Sequence, residues 1–122
     1  MNTKHTPGPW TLETVDTQIG ICHKVGPFPG SHGRKTGYAC IYHDGAINQP
    51  SIAASGELYA NARLIAAAPE LLEACMALRE AAVNMRGEFV VKKGVSAKTL
   101  ARMFAADDAA QSAIAKATGA SQ

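Results

Sequence analysis

Hydrophobic and polar positions alternate along the first third of the chain and recur at helical spacing along the rest. In Trp10-Thr11-Leu12-Glu13-Thr14-Val15 apolar residues alternate with polar ones, as on a half-buried strand. Ile19, Ile21, His23 and Val25 alternate with Gly20, Cys22 and Lys24 in a second such run. Tyr38 to His43 predicts a third strand, ending at the turn-forming Asp44-Gly45 pair. From about residue 56 the period changes. A helix is expected from near Gly56 to Ala68 and a second from Pro69 to Arg86, because the fixed φ and missing N–H of proline suit a first helical turn. On the second helix Leu71, Cys75, Leu78, Ala82 and Met85 form a stripe, widened by Leu72, Met76 and Val83, and this is the expected core face. Gly87 reads as its stop, and Glu88 to Gly94 as a short strand or extended connector. Ser96 is the expected N-cap of a third helix carrying Leu100, Met103 and Phe104. Asp107 or Asp108 is expected to restart a final helical segment with Ala110, Ile114 and Ala117.

These periods predict an α+β fold: a small N-terminal antiparallel β-sheet packed on C-terminal Ala-rich α-helices. All 122 residues are expected to form a single domain, β-rich over 1–55 and helical over 56–122. Residues 26–37 read as one long Gly/Pro loop. Composition narrows the function. The net charge of +2 is too small for general nucleic-acid binding, so direct contact with nucleic acid is not expected. No run of ~18 apolar residues occurs, which argues against a membrane-spanning segment. Without an apolar signal core at the start, the expected location is the cytoplasm of the bacterial host. The three cysteines then read as free thiols. Abundant alanine buries little area per residue, so association of two or more copies, most simply as a dimer, is expected.

Candidate chemistry is sparse. Cys22-His23 and Cys40-x-x-His43 hold thiolate and imidazole ligands, but at no recognised zinc spacing, and neighbouring strand residues diverge. No metal or other cofactor is expected. No cysteine sits in an activating pattern, Cys75 reads as a small core residue, and the helix carboxylates lie among arginines as ordinary ion pairs. An enzyme is therefore not expected. The best contact candidate is Ser31-His32-Gly33-Arg34-Lys35-Thr36-Gly37, where two cations, a hydroxyl and an imidazole stand on flexible backbone. A second basic group, Lys92, Lys93, Lys98 and Arg102, lies late in the chain, and Lys98 and Arg102 share a helical face.

His5-Thr6-Pro7-Gly8-Pro9-Trp10 and Asn61-Ala62-Arg63-Leu64-Ile65-Ala66-Ala67-Ala68-Pro69-Glu70-Leu71-Leu72-Glu73-Ala74 together give a more specific signal. In these blocks the chain resembles small accessory proteins of bacteriophages and prophages, with the Ead-like early proteins of lambdoid phages as distant relatives. The matched residues look architectural: Trp10 is expected to cover the helices, and Asn61 and Arg63 to fix the junction of sheet and helix. The resemblance implies a non-enzymatic protein that binds a host factor, such as a defence protein, and blunts an antiviral defence. A second reading is an oligomeric sponge for a nucleotide signal, with Arg34, Lys35, Tyr38 and Arg63 as phosphate and base contacts. A small hydrolase of such a signal ranks last.

Overall fold

The expected strands pair in the order β1-β2-β3 as an antiparallel meander. The computed structural model describes residues 5–18, 20–30, 36–42 and 52–120, the side chains of 52–55 excepted. β1 spans Thr11–Thr17, β2 Gly20–Phe28 and β3 Gly37–Ile41. The register sets Leu12 opposite Val25 and Val15 opposite Cys22, then Lys24 opposite Cys40. β2 runs on through an irregularity between Val25 and Phe28, so the first three residues of the expected Gly/Pro loop are strand. The expected turn at Asp44-Gly45 lies outside the described residues.

Three helices follow: α1 at Ile52–Ala66, α2 at Ala68–Lys92 and α3 at Ala97–Thr118. The fold is thus α+β, a three-stranded sheet followed by helices. α1 lies across β2 and β1, and α2 and α3 form a long hairpin. Helix α1 begins before Gly56, so the compositional boundary near residue 55 falls inside it. The break between α1 and α2 lies where Pro69 required it, with Pro69 buried in the first turn of α2.

Two sequence-based boundaries change. Gly87 does not stop α2, and residues 88–92 are helical rather than extended. A glycine inside a helix costs about 1 kcal/mol, but here the following turn carries Glu88. Its carboxylate accepts from the Ser96 amide at 2.8 Å and from the Ser96 hydroxyl at 3.0 Å, while Ser96 Oγ accepts from the Thr99 amide at 3.2 Å. One carboxylate thus ties the last turns of α2 to the N-cap of α3, and charge-assisted hydrogen bonds of this kind outweigh the glycine. The helix ends instead at Lys93, left-handed at φ 58°. Nor does Asp107 or Asp108 restart a helix. α3 is continuous, and Asp107 accepts from Gln111 at 3.0 Å along the helix surface.

The core differs most from expectation. Ala62, Ala66 and Ala67 are buried on and after α1, and the α2–α3 contact is made by Ala74, Ala81, Ala106, Ala110 and Ala113. Leu71 and Leu78 pack against the cluster of Ala74, Ala110 and Ala113. The expected stripe holds in part: Leu71 and Leu78 pack on this cluster and Met76 and Met85 are half-buried, whereas Cys75, Leu72, Ala82 and Val83 are exposed, and Cys75 is not a core residue. Small side chains at the centre of the seam let the two backbones approach closely. No helix among the described residues is long and apolar enough to cross a membrane.

Candidate interaction face

Side chains alternate across β2, so His23 and Lys24 look to opposite sides of the sheet. The side facing α1 is closed. Val25 is fully buried, His23 is 6% exposed, and its ring lies 5.3 Å from that of Tyr59. Thr14 Oγ1 and His23 Nδ1 are 2.9 Å apart. Burial holds the His23 imidazole below its ordinary pKa. The Arg63 guanidinium stacks over Tyr59 at 4.8 Å and reaches the carbonyl of Thr118 at 3.4 Å. It therefore closes α1 onto the end of α3, where a cation also suits the helix dipole. Gly119 follows in the left-handed conformation, φ 71°, and a Cβ there would overlap the guanidinium.

The two sequence blocks that carry the phage resemblance meet beside this junction. A Cβ on Gly8 would lie 2.7 Å from Pro69 Cβ, so only glycine lets the N-terminal segment lie this close to the α1–α2 break. Trp10 Nε1 donates to Thr6 at 3.2 Å, and the indole meets Phe28 edge-on at 5.1 Å. Lys116 of α3 donates to the Trp10 carbonyl at 3.1 Å and pairs with Glu70. Glu70, expected as an ordinary ion pair among the helix arginines, pairs instead with Lys116, because neither spacing nor composition reveals a pair 46 residues apart. A cleft of about 350 Å³ opens here between Trp10, Tyr59, Arg63 and Lys116.

Among the described residues no helix lies on the other side of the sheet. Tyr38 and Tyr42 are 44% and 38% exposed there, and Cys40 is exposed between them. Lys24 Nζ lies 3.9 Å from the centre of the Tyr38 ring and 3.7 Å from the Glu13 carboxylate. Cys22, only 1% exposed, underlies this group. Its hydrogen bonds raise the pKa of the Cys40 thiol and of the Tyr42 hydroxyl, which also bonds to Thr17. What the face offers is two tyrosine rings, a cation and a carboxylate held on a paired strand. Period-2 spacing sets Lys24 on the side of Cys22 and Tyr42 on the side of Tyr38, and the strand register brings Glu13, Lys24 and Cys40 to one face.

Of the expected contact residues, Ser31, His32, Arg34 and Lys35 lie outside the described residues, as does His43. Tyr38 is on the open face and Arg63 on the closed side, so one chain does not bring these two together. Lys98 and Arg102 are exposed on α3, far along the hairpin from both. Arg102 borders a groove floored by Ala77, Ala81, Ala105 and Ala109. Among the described residues no three His, Cys, Asp or Glu side chains gather as metal ligands would.

A short meander backed on one face by helices, with tyrosines on the other, defines a small α+β protein. The family model described as Salmonella phage P22 protein Y8K6 matches residues 1–121, and the chain belongs to that family of phage proteins. No curated protein and no solved structure matches it.

Proposed function

We propose that this phage protein is a non-enzymatic accessory factor that binds a host protein and blunts an antiviral defence. The observation that supports the reading is the sheet face on which Tyr38 and Tyr42 stand exposed beside Lys24. Tyrosine brings a large, rigid, amphipathic contact at low conformational cost, which is why it anchors protein interfaces. Here strand pairing and the Lys24 contact hold Tyr38 in place before any partner arrives.

The test measures phage plating efficiency on hosts carrying single defence systems, with and without the protein, followed by capture of the sensitive system's components. Protection against one system and stoichiometric capture of one component support the reading. Both should fall at least tenfold in Tyr38→Ala/Tyr42→Ala while the melting temperature stays within a few degrees. A nucleotide panel should leave that temperature unchanged. Turnover of a nucleotide signal by the purified protein, or protection that survives loss of both tyrosines, overturns it.

A further inference from the structure

The α2–α3 hairpin is built inside out. Its seam is alanine, while Phe89 is 62% exposed, Phe104 66%, Ile114 54% and Leu100 40%. Helical spacing of 100° per residue puts Cys75, Ala82 and Phe89 of α2 on the same side of the seam as Leu100, Phe104 and Ile114 of α3. The opposite side is the alanine-floored groove, bordered by Glu73, Glu80, Arg102 and Lys116. The hairpin therefore has an alanine groove with a polar rim on one side and, on the other, bulky apolar residues interspersed with Arg79, Arg86 and Asp107. At about 200 Å² for an aromatic side chain, these six residues present on the order of 500 Å² of apolar surface. An ordinary interface takes about 800 Å² from each partner, some two thirds of it apolar in homodimers. One such face from each of two copies meets that requirement.

The charges along the hairpin choose the arrangement. Leaving out Arg102 on the groove side, Arg86, Lys92, Lys93 and Lys98 around the turn stand against Glu88, a net of +3. At the other end, leaving out Glu70, Glu73, Glu80 and Lys116, which line the groove, Asp107 and Asp108 stand against Arg79, a net of −1. We propose that the apolar side of the hairpin seats a second copy of this chain, antiparallel about a two-fold axis, to form a four-helix bundle. The basic turn of each copy then lies beside the acidic base of the other. The parallel arrangement would set +3 against +3, and an isologous contact closes at two copies instead of growing into a filament.

The test is sedimentation equilibrium on the full chain from 5 to 200 µM. The expected mass is twice 12.8 kDa. Phe89→Asp/Phe104→Asp removes no buried contact within one chain, so helicity should persist while the dimer dissociation constant rises at least 100-fold. Raising NaCl from 50 to 500 mM should weaken the wild-type dimer, since screening removes an attraction between opposite ends. Lys92→Glu/Lys93→Glu should weaken it as well, and mixing that variant with Asp107→Lys/Asp108→Lys should restore dimers as heterodimers. A wild-type monomer at 200 µM overturns the proposal. So does a double-Phe variant that retains helicity and dimerises as well as wild type. A dimer strengthened by salt overturns the antiparallel arrangement.

Discussion

The junction where the N-terminal segment meets α1, α2 and α3 and the hairpin beyond it are held together by different means. At the junction, directional contacts dominate: Lys116 bridges Trp10 and Glu70, Arg63 bridges Tyr59 and Thr118, and Gly8 lies against Pro69. Each fixes one geometry. Along the hairpin, contact is made by alanine methyls, and the specific polar tie is the Glu88–Ser96–Thr99 latch at the turn. The junction specifies where elements go, whereas the hairpin specifies mainly how close two helices come. A region of the second kind tolerates sliding, and its bulky residues remain available to another chain.

The comparison is broken most severely by filling the junction. Ala67 is completely buried between α1 and α2, and Ala67→Leu should destabilise by about 1–3 kcal/mol. The enlargement Ala109→Leu, at an exposed alanine flooring the hairpin groove, should cost far less. Chemical denaturation of the pair measures the contrast, and equal losses would show that the seam is as tightly specified as the junction. Next comes Glu70→Ala, which removes the partner of Lys116. A half-buried charged hydrogen bond of this kind contributes about 2 kcal/mol, and its loss should be accompanied by a shift in Trp10 fluorescence. Ser96→Ala tests the hairpin's own tie. Loss of the N-cap should cost about 1 kcal/mol and leave the Trp10 environment unchanged.

The smallest effects are in pH. Burial depresses the His23 pKa below 6.5, so the unfolded chain takes up a proton that the native sheet refuses. Stability is full above pH 6.5 and declines as pH falls towards the folded value, and His23→Gln should flatten that part of the profile. Hydrogen bonds from Ser96 and Thr99 likewise lower the Glu88 pKa below 4.5, so its contribution is full above that pH and is lost on further acidification. A Ser96→Ala profile should be flatter below pH 4.5 but unchanged near pH 6.

Local chemistry made much of this fold legible in advance. Alternation located all three strands to within a few residues. Pro69 fixed the α1–α2 break, because a residue without an amide proton has few places in a helix. Ser96 capped α3 as its side chain allows. Contacts that depend on distant partners were illegible. Gly87 reads as a stop because Ser96, which rewards the continuation of α2, is eight residues beyond Glu88. The Leu71–Met85 stripe is legible only in part: Leu71 and Leu78 pack on the core, but the alanines of α3 select Ala74 and Ala81 of α2 for the centre of the seam and leave Cys75 and Ala82 outside. On the open sheet face Tyr38 was recognised, but its neighbours Lys24 and Glu13 were visible only through the register.

Trp10 is the sole tryptophan of the chain, and it stands where the N-terminal segment, the sheet and α3 converge. The protein therefore carries a separate optical reporter for each of its two regions. Indole emission follows the release of the junction, whereas ellipticity at the helical minimum is dominated by the 25 and 22 residues of α2 and α3. Melting curves recorded by both signals in one cuvette should coincide if the molecule unfolds as a unit. An indole transition that precedes the helical one would reveal a hairpin able to persist after the sheet has let go, the state in which its apolar side is most open to a second chain.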